Sequence, residues 1–82
     1  MSVGQRHQVQ WRDFRLVVEE RPNRYRAYVY SLNGSEPLYT AEQGSVNAAK
    51  FAAVEFAIKN NGCDRGLTPE SLISQLSWVS EG

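Results

Sequence analysis

The sequence predicts an α+β fold: a three-stranded antiparallel meander with one long helix packed on one face and a short C-terminal helix, in the order β-β-β-α-α. Three observations predict it. Apolar residues alternate with polar ones from Phe14 onward, the period of a strand. The pairs Pro22-Asn23 and Asn33-Gly34 interrupt that alternation with turn chemistry. From Ser45 the period changes, and "SVNAAKFAAVEFAIKN" reads as a helix. An antiparallel sheet with helices gathered on one side is the natural packing of such a series.

Residues 1–10, "MSVGQRHQVQ", are polar and expected to form a flexible arm, with residues 11–82 as a single α+β domain. In "WRDFRLVVEE", Phe14, Leu16 and Val18 point one way and Arg15, Val17 and Glu19 the other. A turn at Pro22-Asn23 then pairs Glu19 with Arg26, Val17 with Tyr28 and Leu16 with Val29, and the Glu19–Arg26 pair is a favourable one. "YRAYVYSL" is a second strand rich in Tyr and Val, which suit a pleated surface. A two-residue turn at Asn33-Gly34 leads into a short third strand, "PLYTA", with Pro37 at its start as on an edge. That turn pairs Val29 with Leu38 and Tyr28 with Tyr39.

The meander thus has two unlike faces. One holds Phe14, Leu16, Val18, Ala27, Val29 and Leu38 and requires burial. The other holds Arg15, Val17, Glu19, Arg26, Tyr28, Tyr30 and Tyr39. Trp11 joins the second face if the strand runs unbroken to it; a bulge near Asp13 moves it.

Ser45 suits the N-cap of the long helix and Gly62 its C′ position. At about 100° per residue, Phe51, Val54 and Ile58 share one side, and Ala49, Ala52, Ala53 and Phe56 share nearly the opposite one. Lys50 divides them on one flank; Glu55 and Lys59, spaced for a weak ion pair, divide them on the other. The last segment, "LTPESLISQLSWVSEG", has Thr68 as cap, Pro69 at the first helical position, and Leu67 and Leu72 placed as a hydrophobic staple. Leu72, Leu76 and Val79 fall on one side of this second helix, with Ile73 flanking, and are the expected cover for the long helix.

The stretch "YRAYVYSLNGSEPLYTAEQGSVNAAKFAAVEFAIKNNG", a meander running into an alanine-rich helix, resembles small bacterial β-β-β-α domains. It is similar to the YegP-like repeat, whose strands lead into a helix with an Ala-Ala-Lys run. It is also similar to the partial double-stranded-RNA-binding fold of HicB-type antitoxins. The resemblance covers residues 14 to about 61 and implies topology. This chain holds one unit where YegP-like proteins often have two, and it lacks the Gly-Cys loop and the C-terminal DNA-binding segment of a HicB antitoxin.

Composition excludes several chemistries. The chain has 82 residues, 41 % hydrophobic and 22 % charged, an ordinary globular profile. Its longest apolar run falls far short of the about 20 residues that span a bilayer, and "MSVGQRHQVQ" has no apolar leader segment, so a cytoplasmic location without membrane contact is expected. One cysteine, Cys63, and one histidine, His7, cannot assemble a Cys/His zinc site, and no cofactor is expected. His7 in an arm lacks the fixed neighbours that nucleophile activation needs. Glu19 and Glu20, adjacent in a strand, point to opposite faces and cannot act as a carboxylate pair. The glycines of "NNG" and "DRG" fit no phosphate loop. Cys63 follows a helix C-terminus, the wrong pole for activating a thiol. The expectation is a chain that is not an enzyme.

Charge is balanced overall but divided along the chain. Residues 1–30 hold six arginines against Asp13, Glu19 and Glu20, a surplus of three, and residues 31–82 hold the compensating deficit. Two candidate surfaces follow. The helices offer Phe51, Val54, Ile58, Leu72, Leu76 and Val79 as an interaction face for an unknown protein partner or for self-association. The sheet offers Arg15, Arg26, Tyr28, Tyr30 and Tyr39, the residue types with which open sheets hold nucleic acid. The leading expectation is a protein–protein interaction module; the alternative is a nucleic-acid-binding module.

Overall fold

The turn at Pro22-Asn23 sets the frame. It joins Phe14–Arg21 to Arg24–Ser31 in the expected antiparallel register, with Leu16 opposite Val29, Val17 opposite Tyr28 and Glu19 opposite Arg26. The computed structural model describes residues 5–61 and 66–81. Its elements are β1 (Arg6–Trp11), β2 (Phe14–Arg21), β3 (Arg24–Ser31), β4 (Tyr39–Gln43), α1 (Val46–Asn61), α2 (Pro69–Gln75) and β5 (Val79–Glu81). The strands form one antiparallel sheet in the order β4-β3-β2-β1-β5.

The α+β class stands, with two strands more than the meander predicted. Arg6–Gln10, expected within a flexible arm, lie in β1, paired with β2 along its whole length and with β5 on its other side. The alternation was present: His7, Val9 and Trp11 face one way, Arg6, Gln8 and Gln10 the other. Gln and His have little strand preference of their own, so the segment becomes a strand only because its neighbours supply ladder partners. Trp11 closes the β1–β2 hairpin opposite Phe14 and packs against the core. The turn itself is Arg12-Asp13, with Arg12 in the left-handed region at φ 55°. Val79, expected on a helix, belongs to β5 and stands opposite Gln8.

The third hairpin departs from its expected register by one residue. Val29 pairs with Tyr39 and Tyr28 with Thr40. Asn33-Gly34 do not form a two-residue hairpin loop; Gly34 instead donates its N–H to the Ser31 carbonyl at 3.1 Å, closing a turn within a longer connection. The reason is burial. The expected register sends Leu38, Thr40 and Glu42 under the helix. The observed one sends Tyr39, Ala41 and Gln43 there and returns Glu42 to solvent, because a one-residue slip exchanges the two faces of a strand. Tyr39 therefore leaves the sheet face assigned to it and stacks on Phe56 with ring centroids 4.6 Å apart. Leu38, expected in the core, is 53 % exposed.

Helix α1 rests on β2, β3 and β4 by its alanine side. Ala49, Ala53 and Ala57, spaced by one turn each, are buried with Leu16, Val18, Ala27 and Val29. Short side chains let the helix axis approach the sheet. Val54 is buried on the flank that meets α2, where Leu72 joins the same core. Both caps form as expected. Ser45 Oγ accepts the Ala48 N–H at 3.1 Å, and Thr68 Oγ1 accepts the Ser71 N–H at 3.2 Å. Ser45→Ala is expected to cost about 1 kcal/mol, read as a fall in Tm of about 4–8 °C in a thermal melt followed by circular dichroism. The expected C′ glycine, Gly62, and Cys63 lie outside the described residues.

Candidate binding face of the sheet

With α1 on the face of Leu16 and Val29, the opposite face carries what alternation leaves there. Strand β1 contributes Arg6, Gln8 and Gln10, β2 contributes Arg15, Val17, Glu19 and Arg21, and β3 contributes Arg24, Arg26, Tyr28 and Tyr30. Strand β4 adds Thr40 and Glu42, and β5 adds Val79. No helix covers this face among the described residues. Val17 is nonetheless fully buried, because its cross-strand neighbours Gln8 and Tyr28 close over it. Val79, at the β5 edge of the same face, is 57 % exposed.

The face is lined by ordered charge. Glu42 accepts from Arg24 Nη1 at 2.8 Å and from Arg26 Nε at 3.2 Å, with a second close bond from Arg26 Nη2. The hydrogen bonds from Arg26 and then Arg24 hold the Glu42 carboxyl below its usual range, and the bond to Glu42 pushes the Arg26 guanidinium upward. Glu19 stands opposite Arg26 in the ladder, as expected, but its carboxylate goes elsewhere. It accepts from Arg21 Nη2 at 2.9 Å and from the Tyr28 hydroxyl at 3.3 Å. The Tyr28 hydrogen bond, followed by the charge of Glu19, raises the Arg21 guanidinium as well. All these groups are solvated, so they organise the surface more than they stabilise the fold.

Beside this network lies an aromatic pair. Tyr28 and Tyr30 have ring centroids 6.1 Å apart, and the Arg15 guanidinium sits 4.8 Å above the Tyr30 ring. No carboxylate pairs with Arg15 among the described residues. The face holds Arg6, Arg15, Arg21, Arg24 and Arg26 against Glu19 and Glu42. Most of the arginines of the first half of the chain therefore share one surface, and Glu42 of the second half meets two of them from the edge strand β4.

Of the residues expected on this face, Arg15, Arg26, Tyr28 and Tyr30 come together, and Tyr39 does not. The helical interaction face does not form one exposed surface. Val54 and Leu72 are buried, Ile58 and Leu76 are half-buried, Phe51 is exposed on α1, and Val79 lies across the sheet.

One cluster escaped the sequence reading. His7, expected in a mobile arm, is fixed on the helix side of β1. Its Nδ1 and Ser80 Oγ share a hydrogen bond of 2.9 Å, and its Nε2 lies 3.9 Å from Glu20 Oε2. The second distance exceeds a hydrogen bond, so the carboxylate does not orient the imidazole as nucleophile activation requires. The contact instead fastens β5 to β1. The signal was the alternation of His7, Val9 and Trp11; finding Ser80 required the pairing of β5. Among the described residues no three His, Cys, Asp or Glu side chains gather as a metal site. No helix among the described residues is long and apolar enough to cross a membrane.

Comparison with protein-family models, curated proteins and solved structures gave no match to this chain.

Proposed function

We propose that this chain is a binding module without catalytic activity, and that it holds single-stranded nucleic acid on the open face of the sheet. The observation that supports this most is the Arg15–Tyr30–Tyr28 platform on an uncovered face with a surplus of arginine. Bases stack on Tyr rings and guanidinium planes whatever their identity, and the phosphates between them meet Arg6, Arg15 and Arg26. Glu42 tempers the face by occupying Arg24 and Arg26, so binding there replaces a carboxylate with phosphate oxygens.

A protein partner is the second reading. It is favoured by Leu32 and Leu38, 42 % and 53 % exposed within one connection between β3 and β4. Apolar residues exposed together mark contact surfaces more often than ones scattered singly.

The test is an amide titration by NMR with a short single-stranded RNA and, separately, duplex DNA. Shifts are expected at Arg15, Arg26, Tyr28 and Tyr30 with the single strand, weakening as salt rises. Tyr30→Ala should cost about 1–3 kcal/mol of binding, at least about five-fold in Kd, and Glu42→Gln should tighten it. No shift at millimolar strand concentration would overturn the proposal. Shifts confined to Leu32–Leu38 with a protein ligand would favour the second reading.

A further inference from the structure

Strand β4 ends the sheet at one side, and nothing among the described residues pairs beyond it. Five residues long, it is the larger of the two open edges, since β5 has three. Natural edges are usually guarded by a charge that repels an incoming strand. Here the only charged side chain of β4, Glu42, is bound by Arg24 and Arg26 of its own chain. The guard is neutralised. Two open hollows of about 350 and 310 Å³ lie along this edge, one lined by Arg24, Glu42, Gln43 and Gly44, the other by Arg26, Thr40, Ala41 and Glu42. Both are bordered by residues of β4.

We propose that this edge pairs with β4 of a second copy, antiparallel, to make a continuous ten-stranded sheet about a two-fold axis through Ala41. The occupant follows from self-complementarity. A two-fold axis normal to the sheet keeps each face on its own side, so it must pass through a residue and not between residues. An axis at Glu42 sets the two Glu42 side chains against each other. An axis at Thr40 sets Pro37, which has no N–H, opposite Gln43. An axis at Ala41 uses all of β4. It places Tyr39 opposite Gln43, Thr40 opposite Glu42 and Ala41 opposite its mate, with no like charges opposed.

The helices permit this approach. Helix α1 lies over β2, β3 and β4, so its axis stands near β3. Strands are about 4.8 Å apart, and β3 to its mate spans three such steps, about 14 Å. That exceeds the about 8–10 Å of packed helices. The two α1 helices therefore do not collide, and Phe56 and Tyr39 of each copy line the channel between them. A pairing of five residues buries a small interface, of the size found in weak, concentration-dependent complexes. The axis leaves Arg15 and Tyr30 uncovered, but both readings use Glu42: a bound strand that draws Arg24 and Arg26 onto its phosphates frees that carboxylate and should weaken the dimer.

Sedimentation velocity from about 1 µM to 1 mM is the first measurement, with the intact chain expected to pass from monomer to dimer. Thr40→Glu sets one carboxylate against Glu42 of the mate at each of two symmetric positions and should weaken the dimer at least ten-fold, while Thr40→Lys should not weaken it. Position 40 is exposed, so neither variant disturbs the core. In a Cys63→Ser background, Ala41→Cys should cross-link to itself on oxidation much faster than Gln10→Cys on the exposed face of β1. A chain monomeric at 1 mM overturns the proposal. So does a dimer that tolerates Thr40→Glu and leaves Ala41→Cys uncross-linked, because its interface then lies elsewhere. Binding of an extended peptide to β4 by a strictly monomeric chain would reject the second copy as occupant.

Discussion

Leu16→Ala is expected to lower stability by about 3 kcal/mol, within the usual 2–5 kcal/mol for emptying a buried leucine site. Leu16 is fully buried in β2, which has strands on both sides, and it lies under α1 among Val18, Val29, Ala53 and Leu72. Alanines already form much of the helix side of this core, so little remains that can collapse into the vacancy. A domain of this size has about 4–12 kcal/mol in all, and the melting temperature should fall by about 12–24 °C. Leu38→Ala is the informative partner. With Leu38 exposed, it should change stability by less than about 0.5 kcal/mol. An equal loss from both variants would mean that β4 pairs in the other register, with Leu38 inside.

Removing residues 62–82 is expected to abolish cooperative folding. The deletion takes away Leu72, which fills the core beside Val54, and the half-buried Leu67, Ile73, Leu76 and Trp78 that pack around it. It also strips β5 from β1 and leaves His7 without its Ser80 contact. The fragment would expose Val54 and Ile58 to water and turn β1 into an unprotected edge, which invites aggregation. A small domain has no reserve against such a loss. The measurement is a thermal melt with light scattering on the fragment 1–61. A soluble monomer with a sigmoidal melt would show that α2 and β5 lie outside the cooperative unit.

The register of β4 also bears on the binding face. Glu42 reaches Arg24 and Arg26 only because Tyr39 points inward, so the stack of Tyr39 on Phe56 and the charge balance of the outer face are two results of one pairing. Tyr39→Ala should therefore disturb both the core and the affinity of the outer face, whereas Tyr30→Ala should affect the second alone.

Much of this was local information. The hairpin at Pro22-Asn23 has one sensible register, because Leu16 and Val18 of β2 and Ala27 and Val29 of β3 share one side while arginines lie on the other, and a slip would bury arginine. Ser45 and Thr68 announced their helices because a cap acts within three residues. The grouping of Arg15, Arg26, Tyr28 and Tyr30 followed from the same alternation. Other features depended on partners remote in the chain. Arg6–Gln10 is polar enough to pass for an arm and is a strand because β2 and β5 flank it. β5 itself, three residues long, has no pattern to read. The Ser80–His7 contact joins residues 73 positions apart. Local sequence thus determined the strands and helices that bury a continuous apolar face, since alternation and capping act between near neighbours. Tertiary structure decided the edges of the sheet, the face given to Tyr39 and the cover of the long helix, because there the free energy lies in contacts that only the assembled chain brings together.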